Sequence, residues 1–415
     1  MSSTLQLLLV LSIFIFAAKA GGLISTRFRQ PAVLGQLTAG LILGPTGLAL
    51  LQQPLFSAEM SAVVLDLGEL GVIFLMFIAG LEVDLEQMLK SGRVAVLTGI
   101  MGVIAPLLLG TLTALAFQVP LLGSIFVGLI LTATSVSISA QTLLEMGVLQ
   151  SKEGLALLGA AVVDDVLGIL LLSIFIALAH GGEAGAGDVL MVLLRIALYF
   201  AVTIAFGIAL LPRLTHWVDR LPISEGVMAW VVIVTLLFAW SAEVVGEVAA
   251  ITGAFVAGAM FGRTALRHVI AEGMHTLTYA FFVPVFLISV GLRADARVLG
   301  SEGLLFAGMI IAVAVVAKII GCGLGALAGG FTPPQALRVG VGMISRGEVG
   351  LIIASIGLTQ AWIEPDVYAT MILMVLATTL VTPVLLRQVF PRLEVAPART
   401  IPSAESDDKE AVLTR

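Results

Sequence analysis

Charge is what this sequence has least of. Of 415 residues only 12% are Asp, Glu, Lys or Arg, roughly half the share of a soluble domain, which excludes water as the solvent for most of the surface. Cysteine is nearly missing. Cys322 stands alone, so a disulfide framework and a cysteine-based metal cluster are both excluded. The four histidines, His180, His216, His268 and His275, fall singly between apolar runs and read as loop residues rather than metal ligands. A net charge of -6, small and scattered, gives no basic patch for nucleic acid. What is abundant is apolar: 59% hydrophobic residues, 44 glycines and a mean hydropathy of +1.13 point to lipid as the main solvent.

A helix crosses the hydrocarbon with about 20 apolar residues, and Gly, Pro and charge clusters mark the breaks. Thirteen segments emerge, at 4–22, 31–51, 61–81, 94–117, 120–146, 154–179, 189–211, 225–241, 245–262, 276–292, 303–329, 335–357 and 367–389. The fold class expected is an all-α polytopic membrane protein with 13 transmembrane helices. Ala18-Lys19-Ala20 resembles a signal-peptide cleavage site, but basic residues decide otherwise. With the first segment retained and the N-terminus outside, 16 of 21 Lys and Arg lie inside, Arg293 and Arg297 lie outside, and Arg195, Lys318 and Arg346 lie at membrane depth. Removing the first segment would reverse this asymmetry. A multi-pass membrane protein is expected, with a cytoplasmic C-terminus and a polar tail at 391–415 too short for a folded regulatory domain. No nucleotide-binding module is expected, because Gly321-Cys322-Gly323-Leu324-Gly325 lies inside an apolar helix, where small residues serve close packing.

An ionisable residue near the bilayer centre costs several kcal/mol, roughly, and is a functional candidate by default. Asp164 and Asp165 lie about 15 Å into the sixth segment, pointing about 100° apart, so they cannot share a face. Lys318 lies equally deep in the eleventh. Two readings of an Asp164–Lys318 pair stand side by side: a structural lock between helices, or a coupled pair able to exchange protons. The run Thr132-Ala133-Thr134-Ser135-Val136-Ser137-Ile138-Ser139 offers hydroxyls either to an unwound turn and a hard cation or to helix packing. Gly340 to Gly350 is glycine-rich around Arg346, Gly347 and Glu348, which serve as an internal brace or as ion contacts. A broken-looking segment then a charged one (five, six) is answered by a charged one then a broken-looking one (eleven, twelve), the mirror order of an inverted repeat with its site at the midplane.

The strings Gln30-Pro31-Ala32-Val33-Leu34-Gly35, Gly71 to Glu82, Ala133-Thr134-Ser135-Val136, Val163-Asp164-Asp165-Val166-Leu167-Gly168 and Arg346 to Ile352 resemble the cation:proton antiporter-2 family, nearest its bacterial NapA-type sodium/proton antiporters. The resemblance runs from about residue 5 to 390. It implies the NhaA fold, with crossed discontinuous helices five and twelve, a dimerisation domain near 1–93 and 225–292, and a core near 94–180 and 303–390. A linker helix near 189–211 joins them. It further implies a homodimer and an elevator-like movement of the core. Residue by residue, Asp165 would bind the ion and the proton, and Asp164 would assist and pair with Lys318. Thr134 and Ser135 would line the crossover, with Ser137, Ser139, Arg346 and Glu348 supporting. The aspartate pair with a membrane lysine resembles the electrogenic subgroup, exchanging two protons for one Na+ or Li+. Potassium-efflux relatives usually carry Gln-Asp there and a nucleotide-binding domain. Gln36 and Gln141 depart from the family pattern, which often has Glu and Arg.

An ion transporter is expected, not an enzyme, with no cofactor beyond the transported ions. A potassium/proton exchanger of the same fold is the nearest alternative. An intramembrane aspartyl protease needs two carboxylates facing each other from separate helices, which adjacent aspartates opposite a lysine do not supply. A receptor has little need of a midplane lysine.

Overall fold

The computed structural model describes residues 2–53, 55–83, 90, 92–179, 186–292 and 303–390, without the side chains of a few helix residues, Glu348 among them. The described chain is all helical. It forms α1 (Ser3–Arg27), α2 (Ala32–Leu43), α3 (Ala58–Glu82), α4 (Gly92–Ala116), α5 (Leu121–Thr132), α6 (Val136–Glu145), α7 (Lys152–Ala179), α8 (Ala186–Ala209), α9 (Leu211–Asp219), α10 (Gly226–Val244), α11 (Ala250–Phe261), α12 (Arg267–Leu277), α13 (Val283–Leu292), α14 (Leu304–Gly329), α15 (Pro333–Gly342), α16 (Glu348–Thr359) and α17 (Pro365–Val389). A π-helical turn, Thr278–Phe282, joins α12 and α13 into one apolar rod.

Ten rods among the described residues are long and apolar enough to cross a membrane, with α5 and α6 counted together. Three of the thirteen apolar runs do not form one long rod: two fall short of expectation, and the third, at 335–357, is broken as its glycines suggest. They yield α2, α11 and α16, of 12 residues each. Such a helix spans about 18 Å, short of the roughly 30 Å hydrocarbon. The run at 31–51 stops helical because the chain turns at Gly44, where the Leu48 amide returns to the Ile42 carbonyl at 2.7 Å and Ala49 takes φ 48°. The run at 245–262 starts late, since Glu247 is left-handed at φ 53°. The run at 335–357 is two helices, α15 and α16, parted by Met343 to Gly347. Arg293, Arg297 and the tail from residue 391 lie outside the described residues.

Packing gathers the helices into two sets. In one, α14 lies along α4, which also packs on α5 and α7, with α15 and α17 against α14. In the other, α3 lies along α11, α11 on α10, and α13 against α2 and α3, with α1 on α2. The helix α8 touches α7 on one side and α11 on the other.

Lipid gives apolar side chains no reason to leave it, so helix contact rests on close approach and dispersion, which small residues permit. The α3–α11 contact is reciprocal: a methyl on Gly80 would collide with the Phe255 carbonyl, and one on Gly258 with the Phe77 carbonyl. The glycine string of α14 does the same against α4, where a methyl on Gly321 would stand 2.5 Å from the Met101 carbonyl oxygen. Gly258→Val should therefore destabilise the fold by about 1–3 kcal/mol or more through overpacking. Thermal unfolding in detergent tests this, with Gly308→Ala, which has nothing within 4 Å of its added carbon, as the neutral control.

Candidate functional site

Two segments lose helical hydrogen bonding in the interior. After α5 the chain is extended through Ala133, Thr134 and Ser135, with Ser135 at φ -99° and ψ 100°, before α6 begins. Hydroxyl side chains compete with the helix for main-chain partners, which favours a break at such a run. The helix α15 is opened by a capping box of Thr332 and Gln335 with proline in its first turn, and it ends at glycine-rich 340–342.

The two breaks satisfy each other. The Ser135 amide donates to the Ser345 carbonyl at 2.8 Å, and the Ser345 hydroxyl to the Ser135 carbonyl at 2.5 Å. The Ser139 hydroxyl donates to the Gly342 carbonyl at 2.5 Å and lies 3.1 Å from that of Ser345. Ser135 and Ser137 pair their hydroxyls at 3.0 Å, while Thr134 makes a long 3.4 Å bond back to the Thr132 carbonyl. Arg346 is fully buried at this crossing. Its guanidinium donates to the carbonyls of Ile344 and, at 2.8 Å, of Leu131 in the last turn of α5, placing positive charge at the negative end of that half-helix. Glu348 opens α16, but its side chain lies outside the described residues, and with it the Arg346–Glu348 brace.

The carboxylates of α7 face apart. Lys318 on α14, 0% exposed, donates to Asp164 Oδ1 at 2.9 Å, and Asp164 is 3% exposed. Gly102 on α4 faces the pair across ordinary contact distances and leaves room for Cys322: a methyl there would stand 2.5 Å from Cys322 Sγ, 3.7 Å from Lys318 Nζ and 3.8 Å from Asp164 Oδ1. Asp165 is half-buried and accepts from the Thr252 hydroxyl of α11 at 3.2 Å. The two are the polar side chains of a crevice otherwise lined by apolar groups such as Met76, Val136, Ile251 and Phe255. Val136 is the first residue of α6, so the crevice reaches the first break. The arrangement offers one carboxylate neutralised by a lysine and another open to a narrow cleft beside a helix crossing.

A second polar cluster ties the helix sets near the end of α6. Tyr279 donates its hydroxyl to Gln141 Oε1 at 3.2 Å, and Gln141 donates to Glu145 at 3.2 Å. Glu145 accepts the Ala32 amide at 2.8 Å, capping α2, whose own preceding residue Pro31 has no side chain to do so. Gln36, the other departure, is buried with no partner on its Oε1. Arg195 reaches Glu247 and the Val244 and Val245 carbonyls at the end of α10. Sequence reasoning missed Thr252, Gly102 and Glu145. The first two sit in apolar helices without distinguishing neighbours, and Glu145 has the ordinary look of a solvated helix end.

Removing one member of a buried ion pair strands the other, at roughly 3–5 kcal/mol. Lys318→Met and Asp164→Asn should each lower the unfolding temperature in detergent, and the double variant should lose clearly less than the two combined.

The chain matches the family model described as sodium/hydrogen exchanger, transmembrane, over residues 10–391. It is 35% identical to the Na+/H+-K+ antiporter GerN of Bacillus cereus, across 92% of this chain and 95% of that one. It is 36% identical to a Na+/H+ antiporter of Enterococcus hirae, across 91% and 96%. The high-affinity Na+/H+ antiporter NhaS3 of Synechocystis is 34% identical, across 96% and 93%. In three dimensions it is similar to the sodium proton antiporter MjNhaP1 of Methanocaldococcus jannaschii, with a TM-score of 0.64 over 92% of this chain and 96% of that one. At 17% identity that likeness speaks for the fold. These relatives are transporters rather than enzymes, and the protein is a multi-pass membrane protein. By family model and by identity over nearly its whole length, this chain is a member of the transmembrane sodium/hydrogen exchanger family of cation:proton antiporters.

Proposed function

We propose that the protein is an electrogenic sodium/proton antiporter in which Na+ and H+ compete for Asp165. The observation that carries this reading is the division of labour on α7: Asp164 is neutralised by Lys318, and Asp165 faces a cleft beside the crossing of two broken helices. The names of the relatives support the ions exchanged. Asp165 holds either a proton or a dehydrated Na+, and Li+ is the natural second cargo. Asp164 opens from Lys318 to help hold the cation and re-pairs when it leaves. Thr134 and Ser135 line the path, with Ser137, Ser139, Arg346 and Glu348 supporting the crossing.

In this reading the thirteen segments, ten long enough to cross as single rods and three built on shorter helices, make up the NhaA fold in the inner membrane, with the N-terminus outside and the C-terminus in the cytoplasm. A dimerisation domain near 1–93 and 225–292 stays fixed in a homodimer. The core near 94–180 and 303–390, linked through 189–211, moves as an elevator. Loading with a cation or with protons offsets the carboxylate charge that opposes crossing of the low-dielectric barrier, and the proton-loaded core carries one elementary charge more than the Na+-loaded core. With two protons exchanged per Na+, a potential of 100 mV contributes about 2.3 kcal/mol per turnover.

Reconstituted flux with Na+, Li+ and K+ across a pH series tests the reading. Asp165→Asn should abolish Na+-dependent proton flux while the protein still folds, and retained flux overturns the assignment. Neutralising Lys318 should remove the electrical signature if the lysine carries a proton, and leave it if the lysine is structural. A potassium/proton exchange is the second reading, favoured by the 35% identity to a relative named for both Na+ and K+. Proton flux driven by K+ but not Na+ would select it.

A further inference from the structure

Thr252 has no role in the exchange cycle as set out above, yet it hydrogen-bonds Asp165 from the facing set of helices. It is the third residue of α11 and 4% exposed. Its hydroxyl donates to Asp165 Oδ2 at 3.2 Å inside an otherwise apolar crevice. Both Ile251 and Thr252 line that crevice, so the first turn of α11, the positive end of its dipole, is turned toward the carboxylate. A hydroxyl is a better partner for a charged carboxylate than for a protonated one, and in a cleft of low polarity that preference is strengthened.

We propose that Thr252 is a positioning residue that favours the ionised form of Asp165 and thereby sets how strongly protons compete with the cation. The inference rests on cation and proton sharing Asp165. The charged groups on the elements around that carboxylate include Asp164 beside it, Lys318 on α14, Arg346 at the crossing, Glu145 ending α6, Glu69 on α3 and Arg195 on α8, with Lys152 and Glu153 at the start of α7 and Glu59, Asp66 and Glu82 elsewhere on α3. Lys318 is engaged by Asp164, Arg346 by main-chain carbonyls, Glu145 by the amides of α2 and Arg195 by Glu247. The helix α11 carries no ionisable residue, so its influence on Asp165 passes through Thr252 and the helix end. Because α11 packs on α3 and α10 while α7 packs on α4, the bond joins the two helix sets.

The experiment uses the full-length protein in liposomes and reads the half-saturating Na+ concentration for proton flux from mildly acidic to alkaline pH. Thr252→Val, which keeps the shape and removes the hydroxyl, should raise that concentration about tenfold at the acidic end, the scale of one hydrogen bond to a charged group. The difference should close toward alkaline pH, where protons no longer compete, with maximal rate little changed. Thr252→Ser should behave like the unsubstituted protein, and Thr252→Ala gives the same comparison if the valine variant does not accumulate. Unchanged half-saturation at every pH overturns the inference, as does equal impairment by Val and Ser or a difference that persists at alkaline pH. Absence of any Na+-driven flux in the unsubstituted protein overturns the exchange reading itself and this inference with it.

Discussion

The structure turns on one constraint: a main-chain polar group in an apolar interior must find a partner, since leaving it without one costs several kcal/mol, roughly, in hydrocarbon. Both helix breaks violate this locally, and each is satisfied by the other. Ser135 and Ser345 exchange two hydrogen bonds, Ser139 reaches the end of α15, and Arg346 takes up the carbonyls at the end of α5. Neither break would persist alone. The crossing is therefore a cooperative unit, and a cleft beside it exists because the helices there stop.

The same scarcity of solvation explains why the ionisable groups occur as they do. Asp164 and Lys318 lie where water does not reach and neutralise each other. The close approach of α4 to α14 beside that pair comes from the glycines of α14 and from Gly102 on α4, where a methyl would strike Cys322. Packing and electrostatics are thus one problem here: the close contact of α4 with α14 and with α7 is part of what keeps the charged pair from solvent.

Much of this was legible in the sequence because hydrocarbon imposes a simple length rule and a strong tax on charge. The apolar runs give the helices, and Asp164, Asp165 and Lys318 stand out against their neighbours as Thr252 does not. The hydroxyl run at 132–139 and the glycines around 340–350 mark the breaks, since both residue types weaken a helix for known local reasons. Helix lengths were less legible. Apolar composition continues past Gly44 and begins before Ala250, but the chain turns there, and composition does not register a change of backbone direction.

The sequence by itself determined that the chain lives in lipid, roughly where it is helical, and which few charges lie at depth, because each of these follows from local composition and the cost of desolvation. Only the tertiary structure decided who partners whom. That the hydroxyl run knits to Ser345 and Gly342, that Arg346 serves the end of α5, and that Thr252 meets Asp165 are pairings between residues 87 or more positions apart. Such pairings depend on the crossing and spacing of helices, and those are set by the summed close contacts of many small residues rather than by any local pattern.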